Sequence, residues 1–186
     1  ASELQHRVRN TLAMAGSLAI MTGQHTQSVE AFVDAFTSRL EAMSRNLTMI
    51  LDNHWEGLGF REVLDAELAR ALPPGDRRLS VEGPDIVLSV RATKWTAMLM
   101  HELVTNAVRH GCFSVPGGSL KVRWWVEGDS FGAEWIETGR KGIGEPEHKG
   151  FGTQMLTLVP AIRAERLFHD NGMSLKISVT TNSTRW

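Results

Sequence analysis

The stretch His101–Gly111, HELVTNAVRHG in one-letter code, decides the fold of this chain. Its apolar residues recur at helical spacing and predict a helix with one face in the core. Three polar residues, Glu102, Asn106 and Arg109, follow one another at spacings of four and three and therefore share a second face. A magnesium–nucleotide site is one interpretation of that face, and an ordinary solvated helix surface is the other.

The three residue types suit the chemistry of a bound phosphate. An asparagine carbonyl oxygen is a hard, neutral ligand, and Mg²⁺ takes few protein ligands while water and phosphate oxygens supply the rest. Glu102, one turn before Asn106, can hold a metal-bound water or act as a base. Arg109, one turn after it, can contact a phosphate. On these residues alone, however, a solvated helix face is an equally good interpretation.

A glycine-rich segment that follows favours the nucleotide interpretation. Glu137 and Gly139 end a predicted strand, and Gly150 and Gly152 lead into a predicted helix. Glycines let the backbone approach a ligand closely, and a helix N-terminus attracts phosphate. Glu137 can accept a hydrogen bond from the amino group of a base such as adenine. The alternative is a glycine loop without a ligand, because a glycine pair alone is a weak signal.

Composition limits the classes of protein that fit. The chain has 186 residues, 42% of them hydrophobic and 22% charged, with a net charge of -1 and one cysteine. A charge so close to zero gives no strong attraction to nucleic acid or to an anionic membrane, so we expect neither contact in this chain. No apolar run reaches the ~18 residues of a membrane span, and a cytoplasmic location is expected. The first residue is not methionine, which suggests a piece of a longer protein that has a membrane anchor elsewhere or none.

The chain divides into two predicted parts, residues 1–54 and 55–186. In the first, two apolar stripes at helical spacing flank a polar break at residues 23–28 and predict an antiparallel helical hairpin. Such a hairpin has little interior, so we expect a homodimer in which two hairpins form a four-helix bundle; packing on its own chain is the alternative. The second part predicts an α+β sandwich, a mixed sheet with helices on one face. The predicted helices cover residues 60–72, 93–110 (with Gly111 as a C′ glycine) and 155–166; the predicted strands cover 79–82, 86–90, 119–126, 131–137 and 175–180.

His6 is the unusual residue of the hairpin. On a helical wheel it points away from the apolar stripe, and Arg7 and Arg9 stand beside it. A histidine near neutral pKa can act as a nucleophile toward phosphorus, and the arginines would neutralise a phosphate once it is transferred. Asn10, one turn later, would orient a water. A surface histidine without a role is the simpler alternative.

Taken together, the motifs ELQHRVRN, HELVTNAVRHG and Trp135-Ile-Glu137 resemble the HWE family of sensor histidine kinases. The family is named for a histidine in its asparagine box, here His101, and for a Trp-x-Glu motif. The resemblance implies a dimerisation hairpin followed by an α/β sandwich of the Bergerat ATPase type. It also implies roles for single residues: His6 as phosphoacceptor, Glu102 as the acid and Asn106 as the magnesium ligand of the asparagine box, Arg109 as a phosphate contact, Glu137 as the acid that reads adenine, Gly139 in the first glycine box, and Gly150 and Gly152 in the second.

The function that the resemblance implies is autophosphorylation. The γ-phosphate of ATP, held with Mg²⁺, would pass to His6 and then to an aspartate of a response-regulator receiver domain. Arg140 and Lys141 depart from the family pattern, because they stand where a glycine and a proline are usual. They motivate the alternative, a phosphotransfer or scaffold protein of the same fold whose pocket no longer binds ATP.

Overall fold

A computed structural model describes residues 2–142, 151–158 and 162–180, apart from the side chains of residues 2–4, 6, 7, 157 and 158. The described part contains five α-helices, one short 3₁₀ helix and seven strands. Among its helices, none is long and apolar enough to cross a membrane. In chain order the elements are α1 (Ser2–Gly23), α2 (Val29–Asp52), β1 (Leu58–Gly59), α3 (Phe60–Ala71), β2 (Leu79–Glu82), β3 (Val87–Leu88), α4 (Val90–Arg109), the 3₁₀ helix Cys112–Ser114, β4 (Ser119–Glu127), β5 (Ser130–Thr138), α5 (Phe151–Leu158), β6 (Ile162–His169) and β7 (Gly172–Thr180).

The two N-terminal helices form the predicted hairpin. Helix α1 ends at Gly23, and α2 begins after Ser28, whose hydroxyl accepts a hydrogen bond from the Ala31 N–H at 3.1 Å. A serine at this position satisfies one of the free N–H groups of the first turn and so fixes where the second helix starts. The predicted break at residues 23–28 is confirmed.

The second part is the predicted α+β sandwich. Five strands form a mixed sheet in the order β2-β4-β5-β7-β6, in which β2 runs parallel to β4 and the other neighbours are antiparallel. Along β4, buried residues alternate with more exposed ones, so one face of the sheet lies in the core and the other faces outward. Helices α3 and α4 cover the buried face, where Leu103 of α4 packs in the same cluster as Leu120 and Leu175.

The predicted helix over residues 155–166 is wrong. Helix α5 ends at Leu158, and Ile162–His169 is the strand β6, which pairs antiparallel with β7 from Ile162 opposite Val179 to His169 opposite Gly172. Pairing with β7 satisfies the backbone of this segment along the edge of the sheet, and that long-range gain outweighs a helical preference. The predicted strand over residues 86–90 is shorter than expected, because α4 begins at Val90.

The hairpin packs on the sandwich along one side. Ile50 of α2 is fully buried in the main core, and Leu18 and Ala42 form a second cluster with residues of α4 and α5. Several large apolar side chains of the hairpin remain exposed, including Leu12 at 67%. The hairpin therefore contacts its own chain and also carries an uncovered apolar stripe, and the dimer stays a prediction. The exposed set in the hairpin is Val8, Leu12, Ile20, Val29, Val33, Leu40 and Leu51.

Candidate functional site

Glu137 is held firmly near the C-terminal end of helix α4. It is 3% exposed, and its two carboxylate oxygens accept different hydrogen bonds. The indole N–H of Trp135 donates to Oε1 at 2.8 Å, and the backbone N–H of Cys112 donates to Oε2 at 2.8 Å. Residues two apart on a strand share a face, so the Trp-x-Glu spacing places the indole beside the acid that it orients. The Cys112 thiol also donates to this carboxylate, and the lone pairs that remain can accept from another donor, such as an amino group.

Gly111 makes room for that carboxylate. A Cβ at this position would overlap Glu137 Oε2, so no larger side chain fits there without displacing the acid. The sequence predicts Gly111 as a C′ glycine, and it does follow the C-cap residue His110, but its φ of −104° lies outside the left-handed region that usually favours glycine there. The glycine ends the helix for a different reason than expected, and the close approach to Glu137 is a feature of the site that sequence reasoning missed.

Cys112 lies under the same carboxylate. The thiol is fully buried, and burial together with the negative charge of Glu137 raises its pKa to about 12. A thiol with so high a pKa is almost entirely protonated near neutral pH and is a poor nucleophile. Cys112 is therefore a packing residue of the site.

Asn106 and Arg109 face solvent at the same end of α4. Among the described residues, neither side chain makes a hydrogen bond or ion pair, so the carboxamide of Asn106 is available to a ligand. The backbone carbonyl of Asn106 accepts hydrogen bonds from the N–H groups of His110 and Gly111. Because Gly111 lies against the Glu137 carboxylate, these bonds connect the turn that carries Asn106 to Glu137. Within the same described ranges, no cluster of three or more His, Cys, Asp or Glu side chains is arranged to hold a metal ion.

Glu102 is not on the exposed face that the helical spacing predicts. It is 7% exposed and forms a two-pronged ion pair with Arg39 of α2. Arg39 Nε donates to Oε1 at 2.7 Å, and Nη2 donates to Oε2 at 2.9 Å. Since α2 packs along α4, the turn that would face water on an isolated helix is covered here. In this arrangement both oxygens of the expected catalytic acid are engaged by the hairpin.

His101 is also directed toward the hairpin and is buried. Its Nδ1 lies 3.0 Å from Glu67 Oε2 on α3 and must donate, because an ionised carboxylate only accepts. Its Nε2 lies 3.1 Å from the hydroxyl of Ser38 on α2. Arg45 of α2 approaches the same glutamate, with Nη2 at 3.7 Å from Oε1. The histidine of the asparagine box therefore joins three helices.

Burial by itself raises the pKa of Glu67. The hydrogen bond from His101 and the nearby positive charges, including Arg45, together outweigh burial and hold that pKa below its usual range. The carboxylate of Glu67 is therefore charged at neutral pH, although only 4% of its surface is exposed.

The predicted glycines have structural reasons of their own. Gly139 has a φ of 93°, and a Cβ there would lie 2.6 Å from the Cα of Gly118. Gly152 lies in α5, where a Cβ would meet Glu102 Cβ at 3.4 Å, so α5 approaches α4 closely. Gly150 lies outside the described residues. Arg140, which departs from the family pattern, donates to the hydroxyl of Ser114 and is held at the edge of the site.

His6 lies in α1, and its side chain is outside the described part. The other end of that helix lies beside Glu102, because Arg39 Nη1 also donates to Thr22 Oγ1 at 3.1 Å. At about 1.5 Å of rise per residue, His6 is about 24 Å further along the helix. The structure therefore brings together Asn106, Arg109 and Glu137 and leaves the expected phosphoacceptor remote from them.

Solved structures share this arrangement of hairpin and sandwich. The EL346 blue-light activated histidine kinase of Erythrobacter litoralis has a TM-score of 0.64 at 19% identity, covering 96% of this chain and 58% of that one. The histidine kinase domain of the same protein gives a TM-score of 0.60 at 12% identity, covering 90% and 94%. At these identities the likeness shows the fold, which is that of the histidine kinases.

Sequence comparison gives the family. The family model described as HWE histidine kinase matches residues 3–85. The blue-light-activated histidine kinase of Brucella anthropi is 30% identical over 158 residues, which is 83% of this chain and 32% of that protein. The protein of the same name from Brucella ovis is 30% identical over 163 residues, 86% of this chain and 33% of that one. The chain thus spans about a third of the length of these relatives. The family model and these relatives confirm the resemblance to the HWE histidine kinases that the three motifs predict.

Proposed function

We propose that the chain is the kinase portion of a cytoplasmic two-component signalling protein and uses ATP to phosphorylate His6. A ring nitrogen of His6 forms a bond to the γ-phosphorus, the bond to the β–γ bridging oxygen breaks, and ADP leaves. The phosphoryl group then passes to an aspartate of a response-regulator receiver domain. The observation that carries the proposal is the anchored Glu137 beside the free carboxamide of Asn106 at one end of α4.

Each part of the nucleotide has a candidate residue at this end of α4. Glu137 keeps lone pairs for the amino group of adenine, and Arg109 is exposed and free to meet phosphate oxygens. The Asn106 oxygen suits Mg²⁺, which would neutralise phosphate charge when bound. Gly139, Gly150 and Gly152 are proposed to border the phosphates. The close packing of Gly139 and Gly152 against neighbouring backbone and side chains is equally a reason for glycine at those positions.

The transfer itself requires an arrangement other than the one described. We propose that Glu102 accepts the proton that the His6 ring loses. In the described arrangement, however, its carboxylate is paired with Arg39, which also contacts Thr22 of α1. His6 is about 24 Å further along α1 from Thr22. The hairpin must move on the sandwich, or His6 must come from a second copy. We propose a homodimer through residues 1–54, with residues 55–186 as the catalytic domain, because the exposed apolar stripe of the hairpin needs a partner.

Titration calorimetry with Mg–ATP tests the nucleotide site. Asn106→Ala should weaken binding by at least about tenfold, since it removes a direct metal ligand. Val108→Ala is the matched control, because Val108 is exposed on the same helix and has no proposed role. Unchanged affinity in Asn106→Ala would show that the magnesium role is wrong. If the wild-type chain does not bind Mg–ATP but accepts phosphate on His6 from a phosphorylated receiver domain, it is a phosphotransfer protein instead.

A further inference from the structure

Arg39 contacts more of the molecule than any other charged residue of the hairpin for which contacts are described. Besides the two hydrogen bonds to Glu102 on α4, it donates to Thr22 on α1 at 3.1 Å. Its guanidinium carbon also lies 4.0 Å from the ring centroid of Phe151, the first residue of α5. One side chain therefore joins both helices of the hairpin to two helices of the catalytic domain.

The carboxylate that Arg39 holds is the one the proposed reaction needs free. Both oxygens of Glu102 accept hydrogen bonds from the same guanidinium, so the carboxylate is directed at Arg39 and not at an incoming imidazole while the pair persists. The arrangement that forms the pair is also the one in which His6 lies about 24 Å along α1 from the site. Whichever copy supplies His6, the pair must open before Glu102 can accept the proton of the imidazole.

The apolar part of the interface around Arg39 is rich in methionine. A groove between the hairpin and the catalytic domain is lined by methionines of both sides, with Met14, Met21 and Met43 facing Met98 and Met155. Methionine side chains are flexible and pack adaptably, so such a surface tolerates movement better than interlocked branched residues do.

The state in which the hairpin packs on the catalytic domain is here called the docked state. Polar groups further along α2 reduce its stability. The Nε atom of Arg45 and the Nδ2 atom of Asn46 are buried and have no hydrogen-bond partner among the described residues, and Nη2 of Arg45 has only the 3.7 Å ion pair with Glu67. Buried donors without partners destabilise the docked arrangement, and water would satisfy them once the helices part. Besides the buried apolar contacts of Ile50, Leu18 and Ala42, the docked state is held by a few polar pairs, and among the described ion pairs between hairpin and catalytic domain the Arg39–Glu102 pair is the shortest.

We infer that Arg39 is an autoinhibitory latch: it holds the hairpin on the catalytic domain with Glu102 engaged, and phosphorylation of His6 requires this pair to open. The inference rests on the proposed function, because it assigns a resting state to the same site. A shift of α1 against α2 would disturb the latch, since Thr22 and Arg39, which share a hydrogen bond, lie on different helices of the hairpin.

The test replaces Arg39 and measures both position and activity. Arg39→Met leaves Glu102 buried and unpaired in the docked state but hydrated in the open state, so the ratio of docked to open molecules should fall by about tenfold or more. Spin labels on Gln27→Cys and Asp129→Cys, both exposed, report the distance between hairpin and sandwich. Cys112 is fully buried and its thiol pKa is raised, so the spin label should react only with the two introduced cysteines. Labelled chains are diluted with unlabelled ones to remove signals between copies.

Arg39→Met should broaden and lengthen the measured distances and raise the initial rate of His6 phosphorylation by about tenfold. Arg39→Lys keeps the charge without the two-pronged geometry and should lie between Arg39→Met and wild type. The matched control is Arg91→Met on α4, an exposed arginine that should change neither readout.

Distances in Arg39→Met equal to those of wild type would overturn the latch. So would lengthened distances with a lower rate, because Arg39 would then assist the transfer. If no variant is phosphorylated, wild type included, the kinase proposal fails separately, and the spin-label distances still decide whether Arg39 holds the hairpin. If Arg39→Met does not fold, Arg39→Lys supplies the same two measurements.

Discussion

Replacing His101 with alanine removes the residue that joins α2, α3 and α4. The imidazole donates to the Glu67 carboxylate at 3.0 Å and contacts the Ser38 hydroxyl at 3.1 Å. A hydrogen bond to a charged group contributes about 1.5–3 kcal/mol to stability, and one between neutral groups contributes about 1 kcal/mol. Arg45 remains 3.7 Å from Glu67 and compensates in part, so we expect a loss of about 3 kcal/mol. Ser38→Ala should cost about 1 kcal/mol and should cost almost nothing in the His101→Ala background.

Urea unfolding, followed by tryptophan fluorescence and by circular dichroism, measures these changes. The affinity for Mg–ATP should be almost unchanged in His101→Ala, because the side chain points to the hairpin and away from Asn106 and Glu137. A variant that keeps its stability and loses nucleotide binding would refute this reasoning, since His101 would then belong to the nucleotide site.

The same cluster predicts a pH dependence. The pKa of Glu67 is lowered in the folded chain, so its contribution to stability is fully present above the ordinary glutamate pKa of about 4.3 and is lost as the pH falls through the lowered value. Glu67→Gln should therefore lose less stability than wild type between neutral and acidic pH. Parallel acid unfolding curves for the two proteins would contradict the assignment.

Three further predictions concern other parts of the chain. Gly111→Ala should lower both the melting temperature and the affinity for Mg–ATP, because the added Cβ would overlap the Glu137 carboxylate. The control is Gly16→Ala on α1, where a Cβ would enter open space. An unchanged melting temperature for Gly111→Ala would contradict the described position of Glu137. Leu12→Glu should convert a dimer into monomers in light scattering, and a wild-type chain that is monomeric at high concentration would show the predicted dimer to be wrong. Cys112 should react with a thiol reagent only on unfolding, because its pKa is raised to about 12, and rapid reaction in the native state would contradict its burial.

The elements with a strong local signal were predictable from sequence. The hairpin follows from two apolar stripes and a polar break, and the strand Leu79–Glu82 has the bounds that its pattern predicts. Strand β6 was missed because it lies at the edge of the sheet, where only a weak alternation of burial marks it. An edge strand is defined by its neighbour, here β7, and a single sequence does not reveal that pairing.

The site was predictable where it depends on short motifs and unpredictable where it depends on distant contacts. The spacing of Trp135 and Glu137 along one strand contains the information that they meet. Glu102 and His101 instead find partners on α2, and Arg39 and Ser38 are each 63 residues away in sequence. Helical spacing says which residues share a face but not which other helix covers it.

The central claim is that His6 receives phosphate from ATP, and labelling with Mg–[γ-³²P]ATP tests it most directly. The wild-type chain should acquire a label that is labile to acid and stable to base, as phosphohistidine is, and His6→Gln should abolish the label while Mg–ATP affinity remains. A His6→Gln chain that labels at the wild-type rate would contradict the claim.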